Sequence, residues 1–140
     1  MLNLSDIAAR LTAECGDLER VTVKTDGNDA TAFLSACCMV PEAVVGDYSE
    51  QAAGTPQLSG VQTLQNVQAN FSVYLAVSPG DMTTLAAQRD AVAAALTDFE
   101  ATGMEFPCYF TALDRAGGNK FFDLWRLRFF TGYSNQSIYN

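Results

Sequence analysis

Val67–Val77, reading VQANFSVYLAV, is the stretch whose interpretation decides the fold. Val67, Ala69, Phe71, Val73, Leu75 and Val77 are apolar, and Gln68, Asn70, Ser72 and Tyr74 fall between them with polar atoms. Side chains on a strand alternate faces, so this period-two pattern predicts a strand with one buried face. It is long beside the usual five or six residues or so. A long, half-wet strand is the mark of an antiparallel sheet covered by helices on one side.

Working outward from this strand, the chain reads as α-β-(α)-β-β-α-β-β. Upstream, Leu4, Ile7, Ala8, Leu11 and Cys15 form one apolar stripe of a helix, with Ser5 as N-cap and Gly16 as the left-handed terminator. A strand is expected over Glu19–Thr25 with Val21 and Val23 on one face, then a turn at Asp26-Gly27-Asn28-Asp29 and a short helix over Ala30–Ala36 that buries Phe33 and Leu34. Cys37–Val45 reads as an edge, bulged or interrupted strand because Pro41 cannot donate to a ladder. Residues 46–60, rich in Gly, Ser, Gln and Ala, read as a long loop. Such a segment is either a flexible connection or a functional one, here an arm that grips a neighbouring subunit. Downstream, Pro79-Gly80-Asp81 stops the long strand, and Asp81 caps a helix from Met82 to Ala101 that shows Leu85, Val92, Leu96 and Phe99 on one face before Gly103. Cys108–Asp114 and Phe121–Tyr133 are expected as a hairpin turning at Ala116-Gly117-Gly118-Asn119. Both faces of the last strand carry large apolar residues, which makes it interior or partner-covered. A polar tail is expected over 134–140. The resulting fold class is α+β: one domain, 1–140, with a mixed, mostly antiparallel sheet and two main helices on one face.

Composition narrows the function classes. The chain has 140 residues, 8 basic against 16 acidic side chains and a net charge of −8. Nucleic-acid binders are usually basic, so tight phosphate binding is not expected, although an acidic surface suits a passage along which DNA slides without sticking. Charged residues are 17% of the chain, below the usual quarter or so. Either part of the surface is covered by copies of the chain, or the sequence is simply rich in alanine. With no histidine, the commonest general base and zinc ligand is missing, and so are Ser-His and Cys-His nucleophile pairs. Cys15, Cys37, Cys38 and Cys108 show no C-x-x-C spacing and read as buried free thiols in a reducing compartment. No phosphate-loop motif occurs, and the candidate carboxylate pairs, Asp47 with Glu50 and Asp98 with Glu100, read as solvated surface charge. No run approaches the ~20 apolar residues of a membrane span, and Asp6 and Arg10 interrupt any signal-peptide core. The expectation is a protein that is not an enzyme and takes no cofactor or metal. Arg126 and Arg128, two residues apart on one strand face, have two possible partners: an adjacent strand or carboxylates of a neighbouring subunit.

Three segments together, CCMVPEAVVGDYS, QNVQANFSVYLAVSPGD and LAAQRDAVAAALTDF, resemble the tail terminator (tail completion) proteins of long-tailed bacteriophages. The matching residues are Pro41 and Glu42, then Phe71, Val73, Leu75, Ala76 and Val77, then Arg89, Asp90, Ala91, Val92, Ala95 and Leu96, within a resemblance covering about residues 36–99. The final strand, DLWRLRFF, departs from that pattern in its number of aromatics. The resemblance implies a structural virion protein, assembled in the host cytoplasm and placed at the head-proximal end of the tail. It implies a homo-oligomeric ring, commonly a hexamer, that ends polymerisation of the tail tube protein and docks the head-neck connector protein. DNA would pass through its lumen without specific binding. Another head-tail adaptor, a neck protein or a tube subunit is the alternative, and a small-ligand binding module is a further one. The subunit or partner interface is expected to involve Asp47, Tyr48, Glu50, Gln51, Arg126, Arg128 and Phe130.

Overall fold

The computed structural model describes residues 1–24, 41–54, 57–59 and 62–138. The turn expected at 26–29, the helix at 30–36, the start of the Cys37–Val45 strand, and Cys37 and Cys38 all lie outside these residues. The described elements are α1 (Leu4–Glu14), β1 (Arg20–Val23), β2 (Glu42–Ala52), β3 (Gln57–Ser59), β4 (Gln62–Val77), α2 (Met82–Leu96), β5 (Phe106–Gly118) and β6 (Asp123–Ile138). They form an α+β single domain with a mixed sheet in the order β1-β2-β4-β6-β5, and β3 pairs with β4 off this path. β1–β2 is parallel, whereas β2–β4, β3–β4, β4–β6 and β5–β6 are antiparallel.

The alternation read in Val67–Val77 is present in β4, which runs further than expected, through 16 residues. Ala69, Phe71, Val73 and Leu75 are buried in one cluster with Ala43 and Val45 of β2 and Leu127 and Phe129 of β6. Leu4, Ile7 and Leu11 of α1 and Val92, Ala95 and Leu96 of α2 join the same cluster. Phe71 and Phe129 stack at its centre with ring centroids 5.5 Å apart. Such a ring pair contributes about 0.5–1.5 kcal/mol beyond the area it buries. A second, smaller cluster of Val44, Tyr74, Phe122 and Leu124 occupies the opposite face at one end of the sheet. The last strand is interior, as its two apolar faces require, since β6 lies between β4 and β5.

Several expectations are corrected. Residues 46–60 are not one long loop: β2 continues to Ala52 and β3 follows at Gln57–Ser59. The Gln- and Ser-rich composition suggested a loop, but backbone pairing to β4 satisfies the polar backbone of this segment. The polar segment 134–138 is likewise strand rather than tail, paired with β4 as far as Ile138↔Gln62. In α1 the cap is Asn3, whose Oδ1 accepts from Ser5 N–H at 3.0 Å, not Ser5 itself. Cys15 closes that helix, and Gly16 is not left-handed. α2 stops at Leu96, because Thr97 turns extended and Asp98 is left-handed (φ 67°). The expected cap of α2 is present: Asp81 accepts from Thr84 N–H at 3.0 Å. The β5–β6 turn comes later than expected, at Asn119–Phe122, where Asn119 N–H donates to Phe122 O at 2.9 Å.

Candidate functional site

A single β-bulge decides which way half of the expected interface residues point. Gly46 pairs with Ser72, but Ser49 pairs with Asn70, so one residue of β2 is extra. Asp47 takes up the irregularity with a left-handed backbone (φ 55°). The slip reverses the facing of everything after it. Asp47, Ser49 and Gln51 turn to the side of the sheet opposite the main core, and there they line a shallow concavity of about 480 Å³ with Gln68, Asn70, Ser72, Thr111, Arg126 and Arg128. Of the expected set, Asp47, Gln51, Arg126 and Arg128 are thus brought together.

The charged groups at this concavity belong to a continuous chain, its two parts joined where Arg126 bonds Tyr74. Tyr74 O–H donates to Asp47. Arg126 reaches Asp114 through both Nε (3.2 Å) and a terminal nitrogen, and Arg128 Nε reaches the same carboxylate at 3.3 Å. Of the two partners open to Arg126 and Arg128, the adjacent strand holds both, since Asp114 lies on β5 opposite Arg126. Hydrogen bonding from Arg126 holds the Asp114 carboxyl below its usual range. Burial, followed by the bond to Asp47, pushes the Tyr74 hydroxyl up to about 12. At neutral pH the chain is therefore two carboxylates, two guanidiniums and a neutral phenol. Its charges cancel, although the protein as a whole is strongly acidic.

Tyr48 and Glu50 are not part of this face. The bulge turns them toward the helix-covered side, where Tyr48 packs against the main core. Tyr48 O–H donates to Glu50 and accepts from Leu2 N–H at 3.2 Å. Tyr133 O–H donates to both Glu50 oxygens at 3.0 Å. Burial, and then Glu50, raise the Tyr133 hydroxyl above its ordinary value. This cluster ties β2 to β6 across β4 and is a fastening rather than an open surface.

Phe130 sits in a neighbouring hollow of about 240 Å³ lined by Phe106, Tyr109 and Gly132 among others. Tyr109 and Phe130 meet at 5.3 Å between ring centroids. Phe106 and Tyr109 are 45% and 42% exposed, high for aromatic side chains on a strand. The sequence reading missed Tyr74, Asp114, Phe106 and Tyr109. Tyr74 was visible as a polar member of the alternating stretch. Asp114 needed the β5–β6 register, which three irregularities in β5 obscure.

Among the described residues, no group of three or more potential metal ligands comes together, and no helix is long and apolar enough to cross a membrane. Burial pushes both described thiols up, Cys108 to about 11. A thiol so placed is protonated at neutral pH and poorly suited to nucleophilic attack. No protein-family model matches the chain, and no curated protein matches it either.

Proposed function

We propose that this chain is a structural subunit of a phage tail, a terminator that assembles into a ring at the head-proximal end of the tail tube. The ring ends tube polymerisation and offers its other surface to the head-neck connector, and DNA passes through its lumen without specific binding. The resemblance of residues 36–99 to tail terminator proteins motivates this reading. The observation that carries it is the face of the sheet opposite the helices. A charge-balanced polar concavity and an exposed aromatic hollow lie side by side there. Large exposed apolar groups next to satisfied polar ones are the composition of a protein–protein contact surface, in which aromatic residues and arginine are enriched. The charged groups are already paired with one another, which suits a surface that stays folded when free and is covered on assembly.

The reading is structural rather than catalytic. The carboxylates of the concavity are committed to arginine and tyrosine, and the buried thiols are protonated. A tube subunit is the second reading, favoured by the long paired strands β4 and β6, each of 16 residues. Mixing the purified protein with polymerising tail tube protein separates the two. A terminator forms discrete rings and shortens the tubes, whereas a tube subunit grows into long tubes by itself. A strict monomer that leaves tube length unchanged would overturn both.

A further inference from the structure

The hairpin joining β5 and β6 ends in two adjacent phenylalanines with opposite fates. Phe122 is 1% exposed, whereas Phe121 is 63% exposed. The turn is fixed from within: Asn119 Oδ1 accepts from Phe121 N–H at 2.7 Å and from Phe122 N–H at 3.1 Å. Phe121 is therefore held out into water by an ordered backbone, with Lys120 Nζ 5.0 Å from its ring centroid. Among the described residues Lys120 makes no ion pair.

The hollow at Phe106, Tyr109 and Phe130 lies toward the other end of the same strand. Its floor at Gly132 is bare backbone: a Cβ there would meet Val67 O at 2.8 Å and the Phe106 ring at 3.1 Å. Glu105, exposed at the rim, carries a negative charge beside the hollow. Phe121 precedes β6 by two residues and stands nine positions before Phe130 of the hollow, about 30 Å at the rise of an extended strand. One subunit thus displays an aromatic knob flanked by a cation at one end and an aromatic hollow flanked by an anion at the other. They are too far apart to meet within one chain.

The geometry points to a head-to-tail contact between copies of this chain, in which Phe121 of one copy enters the Phe106–Tyr109–Phe130 hollow of the next and Lys120 meets Glu105. Such a contact uses two different patches, so it propagates, and it gives a ring where the rotation closes and a filament where it does not. The inference deepens the ring reading and rests on it by naming the residues that join neighbours. β5 contributes side chains rather than a free edge, because its bulges and the bond from Cys108 N–H to Phe99 O (2.9 Å) blunt that edge.

The test is sedimentation of the full chain with four variants, Phe121→Ala, Lys120→Glu, Glu105→Lys and the double charge reversal. It is combined with photocrosslinking from p-benzoylphenylalanine placed at position 121. Phe121→Ala should keep the melting temperature and weaken self-association by at least about thirtyfold, the loss expected of a central aromatic anchor. Each single charge reversal should weaken association, and the double reversal should restore it. Crosslinks should fall on peptides spanning 105–110 and 130–133. Wild-type oligomers that ignore all four variants, or crosslinks elsewhere, would overturn the contact and leave the ring reading standing. A wild type that does not self-associate at any concentration would also overturn it. Oligomers that depend on Phe121 but never cap tubes would sink the tube-end reading and keep the contact.

Discussion

Phe71 and Phe129 show how much rests on single residues. Each is 1% exposed, and they stack across β4 and β6 where the two helices close over the sheet. Phe71→Ala leaves a cavity that rigid neighbours cannot fill, so unfolding by denaturant should show a loss of about 3–5 kcal/mol. Phe71 was legible in the sequence, because period-two alternation puts it on the buried face, whereas Phe129 lies on a strand apolar on both faces and is placed by its register with β4. Tyr74 titrates differently. Its hydroxyl is raised from 10.0 to about 12, so the folded state holds that proton more tightly than the unfolded chain does. Its contribution is complete below pH 10 and is lost as pH rises from 10 toward 12. Tyr74→Phe should flatten the alkaline limb of a stability–pH curve over that window. Asp114 has the opposite sign. Its pKa is depressed, first by the hydrogen bond from Arg126, so its contribution is present above about pH 4 and is lost in acid. Asp114→Asn should remove part of the acid limb.

At the scale of elements, the register of the sheet separates what could be read from what could not. The stretch Val67–Val77 is regular, and its pairing with β6 runs without interruption from Val77↔Asp123 to Gln62↔Ile138. β2 is not regular. One extra residue near Asp47 exchanges the faces of Tyr48, Glu50 and Gln51, and composition gives no signal of it. Residues 46–60 and 134–138 read as loop and tail because their side chains are polar, yet backbone pairing is indifferent to side-chain polarity when one face is wet. Past Val67 and Gly132, among the described residues, β3 is the one strand that still pairs with the β4–β6 ribbon, over about 17 Å. Gly132 sits at the base of this extension with no room for a Cβ against Val67 O. Gly132→Ala should therefore speed amide hydrogen exchange in 62–67 and 133–138 far more than in 71–77, where both neighbouring strands and the helix layer remain.

For the whole molecule, the helix-covered side is closed by a single continuous core, while the other side presents balanced charge and exposed aromatic rings. α1, α2 and the mostly antiparallel sheet were legible in sequence periodicity, and the single domain in chain length and the lack of a linker. The grouping of exposed aromatics on the open side was only hinted at by the aromatics of DLWRLRFF, because which residues share a surface depends on the β5 bulges. On the proposed function, this side is completed by assembly and the assembly stops a growing tube. Electron microscopy of tail tubes polymerised with and without the purified chain tests it most directly. Rings of the protein should be seated at one end of tubes that have stopped lengthening. Tubes of unchanged length with bare ends, beside a protein that stays monomeric, would contradict it.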